Sequence, residues 1–203
     1  MVATLDVKDF FPSVHYRWVE RIWRELGFSR STARLLTRLT THNGELPQGA
    51  PTSCALANLA FASADKTLLD LAEYHDLSYT RYIDDLALSA DWDFRGLRND
   101  IAGAVHDLGL RVKRGVVCFT PAERDQIVVG LRVNTTIEPS PKWLQELRTE
   151  LEGCVQDGPS ACDDGTHRSY RLHLKGKVDF AWDANREIGR ELKSLYGRID
   201  WCR

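Results

Sequence analysis

The sequence predicts an α+β fold: an antiparallel sheet backed by helices, followed by a helical segment. Three observations lead there. The first part runs strand, helices, hairpin, helix, strands, without the regular strand–helix alternation of a parallel sheet. A hairpin pattern lies in its middle, with Tyr79, Arg81 and Ile83 set against Leu86 and Leu88. After Glu138 the apolar spacing turns helical and stays so.

The elements follow in order. Residues 2–7 read as a strand, with Thr4 and Val7 supplying β-propensity. A helix opens at Pro12 and Ser13, and Val14, Trp18, Ile22 and Leu26 recur at helical spacing up to Gly27. A second helix from about Ser31 places Leu35, Leu36 and Leu39 on one face. Asn43-Gly44 and Pro47 punctuate a loop over 42–49. Residues 52–74 form a long helix whose first half is apolar nearly all round, which predicts burial. The hairpin spans 78–89, with its tight point at Asp84-Asp85. A helix over 94–108 closes at Gly109, and strand-like pieces follow at 116–119 and 127–133. Pro139 and Pro141 mark a hinge, so the boundary is set near residue 138, dividing 1–137 from 138–203. Beyond it, 143–155, 168–182 and 185–196 read as helices, with a polar linker at 157–165.

The chain has 203 residues, enough for one large domain or a domain with a small appendage. Its formal net charge of −2 lacks the basic surplus usual in proteins that grip a duplex backbone, so any such contact must come from local patches. The cysteines are Cys54, Cys118, Cys154, Cys162 and Cys202, odd in number and without a CxxC pair. Metal-ligand spacing is absent, and reduced thiols are expected. No apolar run approaches the roughly 18 residues needed to span a bilayer. Asp6, Lys8 and Asp9 interrupt any signal-like stretch, so no membrane partner is expected and cytoplasm is the default location.

Two acidic sites stand out: Asp6 at the end of the first strand, and Asp84-Asp85 at the hairpin tip. Paired acids at a tight turn are commonly solvated turn formers. Here the flanking strands are apolar enough to be buried, and adjacent strand residues point to opposite faces unless a turn reorients one. Carboxylates at the end of a buried strand cost free energy unless paired or metal-bound. Converging carboxylates suit hard divalent ions such as Mg²⁺. Two such ions about 3.5–4 Å apart can stabilise the attacking and leaving oxygens of an in-line displacement. A third feature is Leu46-Pro47-Gln48-Gly49-Ala50-Pro51-Thr52-Ser53, ahead of the long helix. Gly49 permits close backbone approach, and Thr52 or Ser53 can cap the helix. A plain loop-to-helix junction would explain all of this except Gln48.

Together these runs resemble a known family. Asp6-Val7-Lys8-Asp9-Phe10-Phe11-Pro12-Ser13 is similar to the first catalytic motif of reverse transcriptases, the 46–53 run to their substrate-positioning motif, and Tyr82-Ile83-Asp84-Asp85 to their YxDD signature. Within the family the chain most resembles the retron type, in its QGAPTS run, in Val129-Gly130-Leu131-Arg132-Val133-Asn134 and in Leu174-Lys175-Gly176-Lys177-Val178. Val129 stands where the family usually has threonine.

The resemblance implies a ferredoxin-like polymerase palm followed by a helical thumb. It implies RNA-directed DNA synthesis with two Mg²⁺ ions, an RNA template, a DNA primer and deoxynucleoside triphosphates. It admits a structured non-coding RNA and an effector protein as further partners in an antiviral system. Asp6, Asp84 and Asp85 become the catalytic carboxylates and metal ligands, with the Val7 carbonyl assisting. Phe11 falls where the family has its steric gate against a 2′-OH; a core aromatic is the other reading. Gln48 and Gly49 fall at the incoming nucleotide, and Tyr82 near the primer end. Arg168, Arg171, Lys175 and Lys177 suit a duplex backbone passing the thumb, or equally an ordinary exposed basic helix. Lys113 or Arg114 suits a general acid toward pyrophosphate, or a solvated basic turn.

The family's fingers are not found before the first catalytic strand. A fragment, a split enzyme and a decayed gene are the explanations this leaves open. A non-catalytic nucleic-acid-binding remnant or subunit is therefore the alternative function, and an RNA-dependent RNA polymerase is a third.

Overall fold

The computed structural model of the chain describes residues 1–163, 165–166 and 169–201. It forms two compact units, Met1–Pro121 and Ala122–Arg203. No helix among the described residues is long and apolar enough to cross a membrane.

The first unit is built on a four-stranded antiparallel sheet of β1 (Val2–Asp6), β2 (Ser78–Tyr82), β3 (Asp85–Ser89) and β4 (Cys118–Thr120), in the order β2-β3-β1-β4. Register divides its faces. Ala3 opposes Leu88 and Leu5 opposes Leu86, and all four are buried against helices. The alternate positions put Thr4 beside Ala87, and Asp6 beside Asp85, on the other face. A one-residue slip would exchange the two sets, so burial of the leucines fixes where the aspartates point.

The helices of this unit are α1 (Phe10–Ser13), α2 (Tyr16–Glu25), α3 (Arg30–Thr40), α4 (Ser53–Tyr74) and α5 (Arg98–His106). The long α4 lies under the sheet through Leu56, Ala57, Ala60, Phe61, Ala64 and Leu68. Phe10 meets Phe61 edge-on at 5.7 Å. Each such fully buried apolar side chain contributes about 1.5–3 kcal/mol relative to exposure.

Three expectations fail here. The helix expected from Pro12 to Gly27 is broken: Val14 leaves the helical region, and the Tyr16 N–H donates to the Gly44 carbonyl at 2.7 Å instead of to its own helix. Leu35 and Leu39 of α3 are exposed, Leu39 by 73%, while Ala33 and Thr37 face inward. The helix is rotated from the leucine face because α2 packs closely along it, and small side chains allow that approach. The first half of α4 is likewise not buried all round, since Leu59 is exposed.

The second unit combines a three-stranded antiparallel sheet, β5 (Ile127–Val128), β6 (Leu131–Arg132) and β7 (Glu138–Pro139), with α6 (Pro141–Asp157), α7 (Pro159–Cys162), α8 (Tyr170–Ala184) and α9 (Arg186–Gly197). Val129 and Gly130, both at positive φ, make the two-residue turn between β5 and β6. Leu144, Leu147, Leu151, Leu174, Val178 and Leu192 form the core. Pro139 is buried in β7, and Pro141 opens α6, where its missing N–H costs nothing. The prolines thus lie within ordered elements, and the compact units divide earlier, at Pro121 and Ala122. The expected 157–165 linker contains α7, with Pro159 buried.

Candidate active site

β1 and β3 bring the sequence-distant acids together. Asp6 is the direct cross-strand partner of Asp85, and Asp85 also pairs with Tyr82 on β2. The Val7 N–H donates to the Asp84 carbonyl at 2.9 Å. On its other side Val7 bridges to Val112, and the Lys8 N–H donates to the Arg111 carbonyl at 2.8 Å. The end of β1 is therefore held between the hairpin tip and the 111–113 segment.

The tip lies one residue earlier than the sequence suggests. Tyr82 and Asp85 close the ladder, so Ile83 and Asp84 form the two-residue turn. Ile83 carries the positive φ, 58°, at a position where glycine is usual. Asp85 is the first residue of β3, on the face opposite the buried leucines. Asp84 sits in the turn itself, so the two adjacent acids need not point apart.

The charges at this edge do not balance. Partial burial, then the neighbouring Asp84 and Asp6, push the Asp85 carboxyl above the usual carboxylate range, while Lys113 pulls it back. The Lys113 ammonium sits 2.8 Å from Asp6 Oδ2. That bond, and the Coulomb attraction with it, raise the lysine above its ordinary value. Lys113 is thus paired with a carboxylate while its side chain stays exposed. A cleft of about 250 Å³ opens here, lined by Asp6, Asp85, Lys113 and Arg114 among others. Among the described residues, no three metal-ligating side chains converge on one point. The donor set nonetheless suits divalent cations, because Asp84 and Asp85 are carboxylates crowded with a single ammonium between them and Asp6.

The remaining residues divide into surface and core. Phe10 is buried, whereas Phe11 is half-buried at the edge of the same cluster. Gln48 and Gly49 are exposed, and Gly49 has φ 84°, so the loop needs glycine for its backbone rather than for close packing. Thr52 occupies the N-cap position of α4 but makes no capping bond. Ser53 instead donates to the Pro47 carbonyl at 2.6 Å, pinning the loop that carries Gln48. Tyr82 is 63% exposed.

The basic residues of the second unit are mostly engaged. Lys175 pairs with Asp179 at 2.5 Å, and half-buried Lys177 pairs with Glu150 at 2.8 Å. Arg171 is exposed, with its guanidinium 5.4 Å from the centre of the Trp201 ring. Arg168 lies outside the described residues. Sequence reading also passed over Arg81 and Asp65. Their signal was a charge inside an apolar strand and another on the buried face of a helix.

No family model matches the chain. The retron Mx65 reverse transcriptase of Myxococcus xanthus is 32% identical over 213 residues, covering 95% of this chain and 48% of that protein. The chain belongs to the retron-type reverse transcriptase family. The retron Ec86 reverse transcriptase of Escherichia coli is also 32% identical, over 66% of this chain and 42% of that protein. The chain thus spans about half the length of these curated relatives. A solved telomerase from Candida albicans, in complex with a TWJ fragment of telomeric RNA, superposes with a TM-score of 0.51. It covers 95% of this chain and 40% of its own, at 11% identity, and shows the fold alone. The fold is a reverse transcriptase palm and thumb, and in the palm Asp6 and Asp85 pair at one end of the two central strands, with Asp84 in the adjoining turn.

Proposed function

We propose that this chain carries the catalytic palm and the thumb of an RNA-directed DNA polymerase of the retron kind, acting on an RNA template and a DNA primer. The observation that carries the reading is the register of β1 against β3, which makes Asp6 and Asp85 neighbours with Asp84 in the adjoining turn. On this reading Asp6 and Asp84 are the principal ligands of two Mg²⁺ ions, with Asp85 the third carboxylate and the Val7 carbonyl assisting. The ions, when bound, stabilise charge on the attacking and leaving oxygens of phosphoryl transfer.

The chain's own side chains do the positioning. Asp6 would hold the cation in place of the Lys113 ammonium, and that lysine, beside the cleft, would be a proton donor toward pyrophosphate. Phe11, half-buried and held by the core behind it, sets its ring under the sugar and excludes a 2′-OH. Gln48 and Gly49 meet the incoming nucleotide, on a loop fixed by Ser53. Tyr82, exposed one residue before the turn, packs near the primer end. Arg168, Arg171, Lys175 and Lys177 would track the duplex backbone in the thumb. Lys175 and Lys177 must then share their charge with Asp179 and Glu150, which makes Arg171 the better-placed of the described contacts. A non-coding RNA and an effector protein remain partners within this reading. A cytoplasmic location belongs to the same reading.

The test is template-dependent extension of a DNA primer on RNA, with deoxynucleotides and Mg²⁺. Extension is expected, and Asp6→Ala or Asp84→Ala abolishes it. Full activity in either variant contradicts the reading. Phe11→Ala should raise ribonucleotide incorporation; equal discrimination in the variant removes the gate. A second reading, a nucleic-acid-binding subunit without catalysis, is favoured by the chain's spanning only about half the length of its retron relatives. Incorporation by the chain alone rejects it.

A further inference from the structure

Arg81 stands just before Tyr82 in β2, and its guanidinium is engaged on every nitrogen. Nε donates to Asp65 Oδ1 at 2.8 Å and Nη2 to Asp65 Oδ2 at 2.6 Å, a bidentate pair. Nη1 donates to Asn58 Oδ1 and to the carbonyl of Ile83, each at 2.8 Å. The guanidinium lies 4.7 Å from the centre of the Phe61 ring. The side chain is only 10% exposed. Tyr79 completes the cluster by donating to Asp65 Oδ1 at 2.7 Å. Burial, and then that bond, push the phenol far above its ordinary value, so it stays a donor. Asn58, Phe61 and Asp65 all belong to α4. One arginine therefore ties the long helix to a single backbone oxygen in the hairpin turn.

That oxygen belongs to the residue that most needs holding. Ile83 is β-branched and sits at φ 58°, a conformation such residues rarely adopt because Cβ crowds the backbone. Asp84 follows directly, and its own carbonyl accepts the Val7 N–H at 2.9 Å. The Ile83 carbonyl thus lies one peptide before the Asp84 carbonyl that meets β1. If Ile83 rotated about its N–Cα bond to relieve its positive φ, its carbonyl would swing away and Asp84 would leave its place.

We infer that Arg81 is a positioning residue for the acidic turn, holding the Ile83 carbonyl against α4 and thereby keeping Asp84 and Asp85 beside Asp6. The importance of those carboxylates rests on the function proposed above; the holding itself does not. A lysine cannot replace Arg81, because one ammonium lacks the planar fork that serves Asp65 and Ile83 together. The device also accounts for an isoleucine at a glycine position: the strain is tolerated because the surroundings over-determine the turn.

Amide hydrogen exchange on the chain, without metal, primer or nucleotide, tests this directly. The reporter is the Val7 N–H, bonded to the Asp84 carbonyl. The reference is the Ala33 N–H, bonded to the Ser29 carbonyl at 2.8 Å in α3. Arg81→Gln should speed Val7 exchange by about tenfold, the scale of one released strained residue, with Ala33 unchanged. Adding Ile83→Gly should restore most of the protection, because glycine adopts positive φ without help. A residue acting only through its ion pair with Asp65 would show no such rescue. Unchanged Val7 protection in Arg81→Gln overturns the inference, as does equal loosening with isoleucine or glycine at that position. Should Arg81→Gln fail to fold, Arg81→Lys is read by the same criteria; if neither folds and Ile83→Gly restores neither, the inference fails. Primer extension is measured separately, so a silent polymerase and a wrongly assigned arginine give different results.

Discussion

The sheet edge and the helical unit treat charge in opposite ways. At the edge, Asp6, Asp84 and Asp85 crowd together with Lys113 between them, and the Asp85 carboxyl is held above its ordinary range. In the helical unit these charges meet opposite partners: Lys177 with Glu150, Lys175 and Lys193 with Asp179, Arg148 with Glu191. Matched pairs hold helices together and ask for no further partner. Crowded carboxylates repel one another, and on the proposed function a divalent cation would relieve that repulsion. Positive φ does not distinguish the two: Ile83 and Arg114 take it beside the acids, and Val129 takes it in the second unit. On the proposed function, the difference in charge separates residues placed for chemistry from residues placed for stability, although both sets are charged.

Substitutions at the two regions should therefore have different consequences. The largest effect is expected at the edge. Asp84→Ala should lower primer extension by about a thousandfold or more, the scale of losing electrostatic stabilisation at a reacting centre. Its thermal midpoint should stay level or rise, because a like charge has gone. A fall in midpoint matching the fall in activity would make Asp84 structural.

The next effect belongs to the helical unit. A Cβ at Gly189 would meet the Trp182 backbone at 2.2 Å, where α8 and α9 approach. Gly189→Ala should therefore destabilise by about 3 kcal/mol through overpacking, although the same change in an open helix stabilises. Denaturant melts read the sign. Smaller still, Lys177→Met should cost about 1–2 kcal/mol by leaving half-buried Glu150, among the described residues, with the Tyr170 hydroxyl at 2.9 Å. A loss of primer extension beyond what its stability explains would move Lys177 from the structural set to the nucleic-acid set.

Added Mg²⁺ sharpens the contrast. At about a hundred times its dissociation constant it should stabilise the wild-type chain by roughly 2.7 kcal/mol. Asp84→Asn should lose that gain, and Lys177→Met should keep it. Lys175→Ala is the mildest change, since an exposed pair contributes little, and its melt should overlay the wild type.

Much of the site was legible because each motif is a short local run. Asp6 ends a strand, Gln48-Gly49 precedes a helix, and Asp84-Asp85 lies in a hairpin; all three can be read without tertiary information. What was not legible depends on partners distant in sequence. Asp84-Asp85 is the obvious turn by residue preference, yet pairing of Tyr82 with Asp85 moves the turn onto Ile83. Lys177 looks like a free phosphate contact until α6 brings Glu150 to it. Lys113 finds Asp6 across 107 positions, which no local pattern announces. The leucines of α3 mislead because apolar spacing marks a face without saying which neighbour covers it. Arg81 was visible as a misplaced charge, but its use required the geometry of α4.

The central claim is that cations bind at the Asp6–Asp84–Asp85 edge and not elsewhere on the chain. Mn²⁺ is paramagnetic and broadens the resonances of nearby amides, so titrating it into isotope-labelled protein reads the position of binding. Selective loss of the Asp6, Val7, Asp84 and Asp85 signals, with those of Tyr170–Ala184 intact, is the predicted result. Broadening centred on the helical unit, or none at the strand ends when the ion is in excess, would contradict it.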